Sequence, residues 1–167
     1  WFNHYYLTKK DLNDLLPQAL EFLFKENILK PQKEEWLFES VSGEVFDKNY
    51  LFKVLNLLIG RIKKLSQLVE LSDFFFKEPQ YSSNLLIWKD VAKEKIKENL
   101  EKMLEKINEI KEGDFTKENL EKAIMVLYRD DRGEFLWPLR ACLTGKESSP
   151  GPFEIAEILG KEKTIKR

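Results

Sequence analysis

The residues most able to do chemistry lie between Phe135 and Lys161. Trp137-Pro138-Leu139-Arg140-Ala141-Cys142-Leu143-Thr144-Gly145 reads as a short helix opened near Pro138 and closed by Gly145. Ser148-Ser149-Pro150-Gly151 follows as a stiff turn, with Pro152 suited to the first turn of a second helix that ends at Gly160. Two helices joined this way hold Arg140 close to a helix N-terminus. Free N–H groups and the positive end of the dipole favour a phosphate or the acceptor edge of a base there. The guanidinium adds a planar fork of donors suited to the same ligand. Pro150, Gly151 and Pro152 also fit simple turn chemistry. Phe153 fits either a stacking surface or the core, and its periodicity with Ile155, Ala156, Ile158 and Leu159 favours the core.

Other chemistries find little support. His4 is the only histidine, so a histidine-rich metal site is excluded, and a catalytic triad would rest on one residue near the terminus. Gly145-Lys146 resembles the end of a phosphate-binding loop, but Arg140 stands where the first glycine belongs and Glu147 where Ser or Thr is needed. The carboxylates alternate with lysines, as on solvated helical faces, and form no acid–base couple. No catalytic residue and no metal ligand is assigned. Lys+Arg 28 against Asp+Glu 29 gives a net charge of −1, which argues against a polybasic nucleic-acid binder and requires any RNA surface to be local. Cys142 is the only cysteine, so no intramolecular disulfide can form. No apolar run approaches the ~18 residues of a membrane span, and no signal-peptide pattern is present. The expected location is the cytoplasm, with no membrane partner. The start at Trp1 and the still-helical Ile165-Lys166-Arg167 lead us to expect a piece of a longer protein.

The elements that must position these residues read as all-α. Residues 43% apolar and 13% aromatic suffice for a packed core. Thr8 reads as an N-cap, with Leu7 and Leu12 as its hydrophobic staple, followed by Leu12, Leu15, Leu16, Ala19, Leu20 and Leu23 at helical spacing. Pro17 is expected to kink or divide this run. Asp47 with Phe46 and Leu51, and Thr116 with Phe115 and Leu120, repeat the start signal. A run from Leu51 passes Gly60 and continues through Ile62, Leu65 and Leu68. The stripe Trp88, Ala92, Ile96, Leu100, Met103, Ile107 and Ile110 predicts one long amphipathic helix ended by Gly113. No window of four or more residues alternates cleanly, so strands are not expected. Turn formers cluster from Lys77 to Asn84 and predict two helical subdomains, 1–77 and 78–167.

Pro138-Leu139-Arg140, Leu143-Thr144-Gly145, Ser149-Pro150-Gly151, Phe153-Glu154 and Leu159-Gly160-Lys161 together resemble the C-terminal signature of bacterial glutamyl-tRNA synthetases, with matching spacing. Phe2-Asn3-His4-Tyr5-Tyr6-Leu7 resembles the segment entering that family's anticodon-binding region. Asn49-Tyr50-Leu51 with Gly60-Arg61 resembles its first anticodon-contacting helix. The resemblance covers essentially the whole chain and is weakest from Lys77 to Glu112. It implies a helical anticodon-binding region reading tRNA(Glu), loop and stem, as part of a monomeric enzyme that joins glutamate to tRNA(Glu) with ATP and magnesium. The family's active site lies upstream, with a paired-histidine signature and a Lys-Met-Ser-Lys-Ser-type loop. With one histidine and no such loop, this chain would bind RNA without forming an ester and carry no cofactor of its own.

By the same resemblance Arg61 approaches the third anticodon base, distinguishing C from G and so glutamate from glutamine anticodons. Arg140 and Ser149 meet the first base, and Pro150, Gly151, Pro152 and Phe153 shape its pocket. Ser149 replaces a threonine of some relatives and keeps the hydroxyl. Pro152 replaces their leucine, which leaves an apolar base contact there open. Lys63, Lys64, Lys161 and Lys163, with Lys166 and Arg167, are candidate phosphate contacts. Residue chemistry alone leaves Arg61 equally readable as a solvated arginine beside Lys63 and Lys64, and the basic end as a dipole-stabilised helix terminus. Two rivals stay open: a helical protein–protein interaction module, and a parent enzyme that also charges tRNA(Gln).

Overall fold

The computed structural model describes residues 2–128 and 131–167, apart from the side chains of Phe2, Asn3, His4 and Tyr6. Trp1 and the readings that rest on it, and the side-chain reading of His4, therefore lie outside the described residues. The chain divides into two compact units, Trp1–Glu78 and Pro79–Arg167.

In the first unit, α1 (Phe2–Lys9) and α2 (Leu12–Lys25) are followed by short strands β1 (Leu29–Pro31), β2 (Leu37–Ser40) and β3 (Val45–Asp47), then by α3 (Lys48–Ile59) and α4 (Gln67–Phe76). The cap expected at Thr8 forms elsewhere. Thr8 sits inside α1 with its hydroxyl donating to the Tyr5 carbonyl at 3.0 Å, and Asp11 caps α2 by accepting the Asn13 N–H at 2.8 Å. A carboxylate whose backbone is extended competes better for that cap than a threonine already in helical geometry. Pro17 lies within a single helix and does not divide it. Asp47 does cap α3, accepting the Tyr50 N–H at 2.8 Å.

The strands correct the expectation that none would form. They pair antiparallel in the order β1-β2-β3, and the β2–β3 register sets Phe38 against Phe46, both buried. At 3, 4 and 3 residues they are too short to show an alternation of useful length. Gly43 at φ +83° makes the hairpin turn. The fold remains mainly helical, with nine α-helices among the described residues. Leu15, Leu16, Leu55, Leu58 and Phe74 to Phe76 build this unit's core, each contributing about 1.5–3 kcal/mol by leaving water. The Tyr50 hydroxyl donates to the Phe75 carbonyl at 3.0 Å.

In the second unit, a 3-10 turn at Ser83–Leu86 precedes α5 (Lys93–Glu109), a second at Glu112–Asp114, α6 (Lys117–Met125), α7 (Gly133–Thr144), α8 (Pro152–Leu159) and α9 (Lys161–Lys166). Thr116 caps α6 through the Asn119 N–H at 3.3 Å. The long helix expected from Trp88 begins only at Lys93, because Lys89 takes φ +50° and Ala92 is extended. Trp88 instead donates its indole N–H to Asp131 at 3.2 Å, 43 residues along the chain. Ile96, Met103 and Ile107 keep the expected inward face of α5, joined by Asn99, whose amide donates to the Glu134 carbonyl at 3.3 Å. The outer face carries helical-spacing pairs such as Lys95–Glu98 at 3.2 Å and Lys106–Glu109 at 2.8 Å, which are solvated and worth a few tenths of a kcal/mol each.

Candidate nucleic-acid interface

The helix bearing Arg140 is positioned from both ends. Its start is not at Pro138, which lies inside α7, but at Gly133. Asp131 accepts the Gly133 N–H at 2.8 Å, the Trp88 indole N–H at 3.2 Å and the Lys89 ammonium at 3.1 Å. The Gly133 N–H first, then Lys89 and Trp88, hold its carboxyl below the usual carboxylate range. Gly133 cannot take a side chain without overlapping the Trp88 indole. One turn further on, Trp137 packs tilted against Trp88, ring centroids 5.2 Å apart, and donates to the Leu85 carbonyl at 2.7 Å. Only the Asp131–Gly133 bond is local; the Trp88, Lys89 and Leu85 partners lie more than 40 residues away and were not legible in the sequence.

The other end closes as expected. Gly145 takes φ +66°, ψ +21° and donates to the Ala141 carbonyl at 2.8 Å. Thr144 binds the turn to the helix, its hydroxyl donating to the Arg140 carbonyl at 2.8 Å and accepting the Lys146 N–H at 3.1 Å. Arg140 itself is half-buried, with its Nε buried. Ser149 is buried and donates to the Pro150 carbonyl at 2.9 Å, leaving its oxygen as an acceptor. Pro150, Pro152 and Phe153 are buried, so Phe153 belongs to the core alternative, as its periodicity indicated.

The α8 N-terminus already holds an anion. Gly151 is its N-cap and Pro152 its first residue, and Glu154 folds back so far that a Cβ on Gly151 would overlap its carboxylate. That carboxylate also pairs with Lys117 at 2.8 Å, which raises the Lys117 pKa. The expectation of N–H groups open to a phosphate is therefore corrected. A carboxylate in place suits a base's amino group and disfavours phosphate.

At the basic end, Lys161 donates to the carbonyls of Asn108 at 2.9 Å and Ile110 at 2.5 Å, satisfying the close of α5. Arg167 donates to the Leu143 carbonyl at 2.7 Å. Lys163 is half-buried and Lys166 exposed.

In the first unit, α3 ends at Ile59 and does not continue past Gly60, so Arg61 stands in a turn and not on a helix. Arg61, Lys63 and Lys64 are exposed while Ile62 is fully buried. The backbone N–H groups of Lys63 and Lys64 both donate to the Gln67 side-chain oxygen, at 2.7 and 3.1 Å. Sequence reasoning missed Gln67. An amide at the first helical position after a caprock of exposed cations was the signal.

Among the described residues no group of three or more His, Cys, Asp and Glu side chains is placed to hold a metal, and no helix is long and apolar enough to cross a membrane. The model of the family described as anticodon binding domain matches residues 12–167. The chain is 35% identical over its full length to a glutamate–tRNA ligase of Clostridium kluyveri and 34% identical to one of Clostridium tetani. It covers 31% of each, so it spans about a third of these relatives. A crystal structure of a glutamate tRNA ligase from Elizabethkingia meningosepticum shares the fold, with TM-score 0.76 and 24% identity over 99% of this chain and 30% of that one. The chain therefore belongs to the anticodon binding domain family.

Proposed function

We propose that this chain reads the anticodon of tRNA(Glu) for a glutamate–tRNA ligase whose ester-forming chemistry lies elsewhere. The observation that carries the reading is Arg140, half-buried on a helix fixed at both ends, in a chain of the anticodon binding domain family. Arg140 donates to the first anticodon base, with the free acceptor of Ser149 and the Glu154 carboxylate completing a mixed donor–acceptor edge. Pro150, Gly151, Pro152 and Phe153 shape that pocket from behind. Arg61 donates to the third base, favouring C over G, with Lys63 and Lys64 meeting neighbouring phosphates and Lys163 and Lys166 the stem. The chain acts as a monomer joined to a catalytic domain of the same polypeptide. ATP and magnesium serve that domain, and no step here uses them.

The test is a titration with tRNA(Glu) at two salt concentrations, repeated with the anticodon replaced. Salt-sensitive binding that weakens on anticodon replacement supports the reading. Binding that ignores both the anticodon and Arg140→Ala overturns it in favour of a helical protein–protein module.

A further inference from the structure

We propose that Gln67 is the positioning residue for Arg61, fixing the turn from which Arg61 reads the third anticodon base; this rests on the reading of Arg61 given above. The turn from Gly60 to Ser66 carries three exposed cations in four residues, which repel one another. Two features of the turn oppose their spreading. One is Ile62, fully buried between them. The other is the backbone bonding.

The Arg61 N–H returns to the Leu58 carbonyl at 2.8 Å, and those of Lys63 and Lys64 share the Gln67 side-chain oxygen. Gln67 also donates its own N–H to the Lys64 carbonyl at 3.0 Å, so it grips the turn by backbone and side chain together. Ser66, which occupies the N-cap position of α4, makes no side-chain cap bond. Gln67 therefore does from inside the helix what the cap residue does not. Its oxygen reaches back to the chain before the helix and ties the exposed half of the turn to a rigid element. A base-reading side chain must be held within about 0.5 Å of its working geometry, and the two Gln67 side-chain bonds add to the Leu58 and Ile62 anchors in supplying that. Gln67 touches no base itself.

The experiment measures binding of tRNA(Glu) transcripts with C or G at the third anticodon position to the chain and to Arg61→Ala, Gln67→Ala and Gln67→Glu, with a urea midpoint for each. Arg61→Ala is expected to erase the preference for C, a loss on the order of tenfold or more. Gln67→Ala is expected to lose most of the same preference by weakening the C transcript alone. Gln67→Glu keeps the acceptor oxygen and is expected to keep the ratio, while its charge lowers both affinities alike. A merely structural glutamine would lower the urea midpoint and both affinities together and leave the ratio unchanged, which overturns the inference. If Arg61→Ala erases the preference and Gln67→Ala does not, the inference alone fails. If Arg61→Ala keeps the preference, the reading of Arg61 fails and takes the inference with it.

Discussion

One substitution, glycine to alanine, is expected to change stability in opposite directions at Gly145 and Gly60. Gly145 closes α7 at φ +66°, where an L side chain costs about 1–2 kcal/mol. The added Cβ would stand 3.1 Å from the Pro79 Cβ and 3.3 Å from the Tyr81 ring, tighter than ordinary contact against two ring carbons. Overpacking adds roughly 1 kcal/mol, the lower end for such insertions. Together they make Gly145→Ala destabilising by about 2–3 kcal/mol. Gly60 ends α3 at φ −72°, ψ −8°, and nothing lies within 4 Å of its added Cβ. There alanine only narrows the unfolded ensemble, a gain of about 0.4–1 kcal/mol. Urea unfolding, followed by far-UV circular dichroism and by the fluorescence of Trp36 in the first unit and of Trp88 and Trp137 in the second, checks both. With a slope of about 2 kcal/mol per molar, the midpoint falls by roughly 1 M for Gly145→Ala and rises by roughly 0.2–0.5 M for Gly60→Ala. An unchanged or raised midpoint for Gly145→Ala, or a lowered one for Gly60→Ala, refutes the reasoning.

Lys161→Met removes the ammonium that closes α5 and is expected to cost about 1 kcal/mol in urea unfolding. It should leave the slope of log affinity for tRNA against log salt unchanged, whereas a lost phosphate contact would reduce that slope by about 0.7–0.9. Asp131 has a folded-state pKa below its ordinary 3.8, so its stabilisation is complete above that value and is lost as pH falls through the depressed one. Asp131→Asn should therefore lose less stability than the wild type between about pH 6 and about pH 2, by urea midpoint at each pH.

What was legible in the sequence is local. Asp47 and Thr116 cap their helices because the cap, the staple and the apolar stripe all lie within a few residues of each other. Gly145, Pro152 and Gly160 mark their helix ends because only backbone conformation decides them. What escaped depends on partners far along the chain or on competition between near-equal signals. Thr8 and Asp11 offer two caps three residues apart, and the extended one wins. Trp88 leaves its helical stripe for Asp131 and Trp137. Lys161 looks like any surface lysine until the close of α5 is set beside it. Arg61 and Arg140 are proposed from the family's motif spacing, while the bonds of Gln67 and Thr144 to the neighbouring backbone are visible only in the folded turns.

Arg140 carries the account, and a double-mutant cycle tests it most directly. Binding is measured for the chain and for Arg140→Ala, each with tRNA(Glu) and with a transcript changed at the first anticodon base. The expected result is that Arg140→Ala weakens binding of tRNA(Glu) by about 1–3 kcal/mol and removes the penalty for the base change. Two losses that simply add, with the base penalty intact in Arg140→Ala, would contradict it.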